Sequence, residues 1–235
     1  MSVDAVLAQI GARFEDAESR AYLRTHGRRY RILLGLVGQV VTPGARILDV
    51  GPGYQTEAIR KLWPAATVDT IGFLDPRLEP ARDGERHYEY DLAQAVDEAT
   101  WPRAEPYDVI VFAEVIEHLH VGPGRVLALL ASLLRPGGTL LVQTPNAAAL
   151  SRRFWLLAGR NPFEPIRDDL HQAGHFREYT ARELERLVRD AGLQPVRTRL
   201  DNYFRTGSVK NRLLVELSGA FPPGLRQGIT LVARR

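Results

Sequence analysis

Apolar residues recur at helical spacing at the start of the chain. Val3, Val6, Leu7, Ile10 and Phe14 share one face, which predicts an amphipathic helix. A second helix is expected from roughly Arg28 to Val41, ended by "TPGA". The pattern then changes to short, almost continuously apolar runs separated by helical stretches. "ARILDVGPG" reads as a strand running into a glycine turn, and "YQTEAIRKLW" as the helix after it, stopped by Pro64. "ATVDTIGFLD", "ERHYEYDL" and "YDVIVFAE" read as the second, third and fourth strands, with Asp75 at the end of the second. "GRVLALLASLL" is a helix closed by "RPGG", and "TLLVQTPN" a fifth strand. "TARELERLVRDAG" is a helix with Thr180 as its N-cap, Glu183 completing a capping box and Gly192 at its stop. "QPVRTRL" and "GITLVARR" supply two last strands.

Strands without polar alternation, interleaved with helices, predict an α/β domain whose sheet is covered on both faces. One stretch breaks the rhythm. Residues 147–174 carry apolar side chains and several turn formers directly after the fifth strand, and are expected to form a partly helical cap over the binding edge. With the N-terminal helices (1–42), this cap would enclose a substrate pocket. A length of 235 residues fits one domain spanning 1–235.

Composition adds mainly exclusions. There are no cysteines, so thiolate metal sites, disulfides and a cysteine nucleophile are ruled out. No apolar run is long enough to span a membrane, and the N-terminus lacks signal-peptide character, so a cytoplasmic enzyme is expected. The pI of about 9.4 accompanies a net charge of only +3. The arginines are scattered and lysine occurs only at Lys61 and Lys210, which argues against a nucleic-acid partner.

The candidate chemistry lies at the predicted carboxyl ends of the strands, where open α/β sheets bind ligands. Gly51 and Gly53 sit between strand and helix, where glycine allows a tight turn and close approach to a ligand. Thr56 occupies the place of the third glycine of a nicotinamide-binding loop, which disfavours a dehydrogenase. Asp49 precedes the turn, Asp75 is placed for ribose hydroxyls, and Asp91 with Leu92 for an adenine ring. Asp69 is a rival for the ribose role but lies inside its strand.

In order and spacing, "ILDVGPG", "FLD", "YDL", "YDVIVFAEVIEHL", "LLRPGGTLLVQTPN" and "HFREYT" resemble the class I S-adenosylmethionine-dependent methyltransferases over about residues 45–200. The resemblance implies a Rossmann-like, seven-stranded, mostly parallel sheet with helices on both faces. It also implies S-adenosylmethionine as cofactor. Gly51 and Gly53 would face its amino-acid part, Asp75 its ribose, and Asp91 with Leu92 its adenine.

"FAEVIEHLH" follows the fourth strand. If a helical turn starts near Ala113, Glu114, Glu117 and His118 fall on one face, beside the place implied for the methyl group, where Glu114 would also meet the cofactor. His175, in "GHFREYT", comes to the same edge from far along the chain. E-x-x-E-H with a later histidine is similar to two branches of the superfamily, the ubiquinone-pathway O-methyltransferases and the small-RNA 2′-O-methyltransferases. That likeness implies a divalent metal held by Glu114, Glu117, His118 and His175. Mixed nitrogen and oxygen ligands suit Mn²⁺, Co²⁺, Fe²⁺ or Zn²⁺, with Mg²⁺ as a further option. A metal would lower the pKa of a bound hydroxyl; without one, His118 would act as general base oriented by Glu114 or Glu117. His171 is the one other histidine close to this set in sequence. Tyr22, Arg28 and Tyr30 are candidates to close over the cofactor. The expected reaction is O-methylation of a small hydroxylated acceptor, the alternatives being ribose 2′-O-methylation of RNA and a non-catalytic cofactor-binding scaffold.

Overall fold

The structure is a computed structural model, and it describes residues 1–13, 17–168, 174–204 and 209–235. Phe14 and His171 lie outside the described residues. Two N-terminal helices, α1 (Val3–Arg13) and α2 (Ala17–Val40), precede β1 (Arg46–Val50), α3 (Tyr54–Leu62), β2 (Thr67–Gly72) and β3 (His87–Glu89). Then come β4 (Tyr107–Ala113), α4 (Pro123–Leu133), β5 (Leu134–Pro145), α5 (Leu150–Leu157) and α6 (Ala181–Asp190). The chain closes with β6 (Gln194–Asp201), α7 (Val209–Ser218) and β7 (Gly228–Arg234).

These strands form one seven-stranded sheet in the order β3-β2-β1-β4-β5-β7-β6. The pairings from β3 to β5 are parallel, and β7 runs antiparallel to both β5 and β6. Alternate residues of the buried strands enter opposite layers. Ile47, Val68, Val109, Val111 and Leu141 pack under α1, α2 and α3. Leu48, Ile71, Ile110, Phe112, Leu140 and Val142 pack under α4 and α6. Burial on both faces explains why these strands read as unbroken apolar runs.

Three elements differ from expectation. Helix α2 begins at Ala17, far earlier than Arg28, because its first half is arginine-rich outside yet buries Leu23. Helix α7 was not expected, since no clear apolar period marks it. Strand β2 ends at Gly72, whose φ of +125° turns the chain out of the sheet, so Asp75 stands in the following turn and not at the strand end. Within 147–174, α5 is the described helix, and Arg152 ties it to Glu178 through an ion pair.

Candidate active site

The turn after β1 is held from beneath. Gly51 has φ +71°, and a Cβ there would lie 2.6 Å from Val115 Cγ2. Gly51 N donates to Ile71 O at 2.9 Å, and a Cβ added at Gly72 would lie 3.5 Å from the Gly51 backbone, so the neighbouring strand clamps this turn. Thr56 donates its hydroxyl to Asp49 Oδ2 at 2.5 Å and accepts from Gly53 N at 2.9 Å. The residue in place of a third glycine thus fixes the acid before the turn.

Burial pushes the Asp49 carboxyl up from 3.8 to about 7, against the lowering bonds of Thr56 and Gln55 and the charge of Arg60. The unfolded carboxyl ionises near its ordinary value, so between about pH 4 and 7 the folded chain holds the extra proton. Stability contributed by this group therefore falls as pH rises through that window, then stays constant. Asp49→Asn is expected to match wild type near pH 4 and to exceed it increasingly up to pH 7 in urea denaturation. A stability difference that does not vary with pH would contradict this.

Asp75 is held by Arg77, whose guanidinium and backbone N–H both bond its carboxylate, and these bonds draw its pKa down. Asp91 accepts from Ala93 N at 2.9 Å at the head of a 3₁₀ turn, with Leu92 buried behind it. Asp69 is fully engaged elsewhere: Arg46 and Tyr107 bond Oδ2, and Arg86 N bonds Oδ1.

After β4 the chain turns sharply. Glu114 is the one non-glycine residue with positive φ among the described residues, at +56°. A strained backbone here re-aims its side chain. Glu114 consequently leaves the face expected to carry it beside Glu117 and His118. It points instead to Arg29 of α2, with Nη1 3.3 Å from Oε2. That corrects the four-ligand expectation. Glu117, His118 and His175 do converge, each offering a ligand atom within 4.8 Å of the others, and Glu114 is not in the group.

Each of the three is fixed by partners outside the group. Glu117 is fully buried; Oε2 accepts from Thr144 Oγ1 at 3.0 Å, and Oε1 has no partner. His118 Nδ1 lies 2.8 Å from Gly174 O, so it carries the proton and leaves Nε2 as the lone-pair nitrogen. His175 Nδ1 is held in the same way by Glu178 Oε1 at 3.1 Å. Such outer bonds orient metal-binding imidazoles. The two rings meet edge to face with centroids 4.8 Å apart. Burial pushes Glu117 up despite His118, His175 and Thr144. For His175 burial works against the charged form, but Glu178 and Glu117 outweigh it and raise its pKa.

Unpartnered acceptors extend beyond this group. Asp49 Oδ1, Glu114 Oε1, Glu117 Oε1 and Gln143 Oε1 are all buried acceptors without a hydrogen-bond partner. All stand on or just beyond the carboxyl halves of neighbouring strands, with Val50 beside Phe112 and Ala113 beside Gln143. An edge rich in unpaired acceptor oxygens favours ligands that bring positive charge or N–H donors.

Arg29 is a site residue that the apolar pattern did not single out. It is almost fully buried at the site, whereas Arg28 is exposed and Tyr30 lies in the core. Its signal was helical phase, since Arg29 lies one turn before Leu33 and two before Leu36, on the apolar stripe.

A family model described as "Methyltransferase domain" matches residues 13–198. A protein named ubiquinone biosynthesis O-methyltransferase from Thiobacillus denitrificans is 30% identical over 155 residues, covering 64% of this chain and 65% of its own length. A trans-aconitate 2-methyltransferase from Streptomyces avermitilis is 35% identical over 139 residues, covering 53% and 49%. The chain therefore aligns with less than two thirds of these relatives. A SAM-dependent methyltransferase from Archaeoglobus fulgidus superposes with a TM-score of 0.59 at 14% identity, covering 94% of this chain and all of that one. No described helix is long and apolar enough to cross a membrane. The glycine turn, the sheet order and the matched length together place this chain in the S-adenosylmethionine-dependent methyltransferase-domain family.

Proposed function

We propose that this chain transfers the methyl group of S-adenosylmethionine to a hydroxyl oxygen of a small, polyhydroxylated or catecholic acceptor. Glu117, His118 and His175 are the residues assigned to a divalent metal. The convergence of their ligand atoms within 4.8 Å carries the reading. The names of the ubiquinone O-methyltransferase relatives favour an oxygen acceptor.

In this reading Gly51 and Gly53 admit the methionine part of the donor, and Asp91 with Leu92 flank its adenine. Asp75 reaches the ribose by exchanging its contacts with exposed Arg77. A sulfonium needs no activation, so the protein's work is alignment and exclusion of water. Arg29, gripping Glu114, locks α2 over the reacting edge. The three metal-site residues orient an acceptor with adjacent hydroxyls; a divalent metal there would supply a lowered hydroxyl pKa. The buried Glu178 carboxylate holds the His175 ring through Nδ1, and the Gly174 carbonyl holds the His118 ring in the same way.

The test is transfer of labelled methyl to 3,4-dihydroxybenzoate against 4-hydroxybenzoate, with Mn²⁺ or with EDTA. Turnover confined to the vicinal diol and lost in EDTA is expected. Equal turnover of both acids, unaffected by EDTA, would overturn the metal-assisted reading.

A further inference from the structure

Outside the strand edge, a large concavity lies between the N-terminal helices and the chain after β6. It encloses about 1100 Å³ and is walled by α1, α2, Tyr203, Phe204 and α7. That volume exceeds what a compact metabolite fills and suits an elongated ligand. Its chemistry is two-sided. Leu7 and Leu23 form a buried apolar floor. Arg20, Arg24, Arg28 and Arg31 line the rim, spaced along α2 so that they share one face. Arg31 is paired with Asp4, while Arg24 and Arg28 have no acidic partner among the described residues. Glu216 is the acidic residue of the lining, and a smaller adjoining cavity of about 340 Å³ adds Arg226 beside Arg28.

The groove shares a wall with the catalytic edge. Phe204 meets His26 edge-on at 5.0 Å, and His26 stacks on Tyr22 at 3.9 Å. The Tyr22 hydroxyl lies 3.4 Å from Arg29 Nη2, and Arg29 grips Glu114. A ligand lying in the groove therefore has one end behind the aromatic wall that borders the reacting site.

We propose that this groove binds the methyl acceptor's anionic part, so that the acceptor is an amphiphile bearing a carboxylate or phosphate held by Arg24 and Arg28. The assignment rests on the methyltransferase reading for the word acceptor; the anion site itself does not. Guanidinium pairs bind either anion in forked geometry, and the apolar floor takes the hydrocarbon body.

Calorimetry with octyl phosphate, octanoate and neutral octyl glucoside tests it, using wild type, Arg24→Gln/Arg28→Gln and Arg24→Lys/Arg28→Lys. S-adenosylhomocysteine is titrated into each as a check of folding. At least one anion is expected to bind wild type tenfold or more tighter than the glucoside. The glutamine pair should lose that advantage and the lysine pair keep most of it, with S-adenosylhomocysteine affinity unchanged in both. The better of the two anions identifies the headgroup. Equal binding of glucoside and anions, or full anion affinity in a folded glutamine variant, overturns the groove assignment. Anion binding in the groove by wild type that binds no S-adenosylhomocysteine instead counts against the methyl-transfer reading and leaves the groove standing.

Discussion

Glu117→Gln is expected to bind Mn²⁺ at least a hundredfold more weakly than wild type, a loss of about 2.7 kcal/mol, while its apo form melts no lower. The two effects share one cause. Glu117 is buried without exposure and one of its oxygens has no partner, so in the apo fold its charge is a burden. An amide keeps an acceptor for Thr144 Oγ1. Its NH₂ would face imidazole nitrogens that have lone pairs, because His118 and His175 carry their protons on Nδ1. A metal, by contrast, needs the carboxylate's negative charge. Thermal melting of apo protein and equilibrium dialysis against Mn²⁺ check both halves. A variant that melts well below wild type would make Glu117 a structural acid and remove it from the proposed site.

Gly51→Ala should cost S-adenosylhomocysteine about a hundredfold in affinity, again about 2.7 kcal/mol, and lower the melting temperature. Alanine at φ +71° carries a backbone penalty of about 1 kcal/mol. Steric overlap costs more, because the new methyl would sit 2.6 Å from Val115 Cγ2. Val115 separates Glu114 from the turn that bears Glu117 and His118, so relief of the clash moves the site itself. Gly44→Ala is the control. It has nearly the same φ, +76°, with nothing within 4 Å of the added carbon, and it should lose stability alone. Equal S-adenosylhomocysteine affinity in the two variants would remove the turn from the cofactor site.

What the sequence made legible follows from where side chains are constrained on both sides. The buried strands announce themselves because both faces of the sheet are covered, and their order follows from the alternation with helices. The α6 capping box reads directly, with Thr180 and Glu183 bonding each other's backbone as their spacing implies. Backbone direction at single residues is not written in apolar periodicity. A positive φ at Gly72 ends β2 early and leaves Asp75 in a turn; a positive φ at Glu114 sends that side chain to Arg29. Helix phase alone would have assigned Glu114 to the wrong neighbour. The convergence of Glu117, His118 and His175 was visible as a pattern, but the partners that fix the imidazoles, Gly174 and Glu178, depend on the path of the chain after β5. The arginine-lined groove was equally hidden, because scattered arginines become a single face only once α2 is known to begin at Ala17.

The central claim is a cation site at the methyl-transfer edge. Its most direct test is calorimetric titration of Mn²⁺ into wild-type protein saturated with S-adenosylhomocysteine, with His118→Ala alongside. One equivalent bound by wild type and none by the variant is the predicted result. No binding to either protein, with the donor product bound, would contradict the claim and leave His118 as the base that accepts the acceptor's proton.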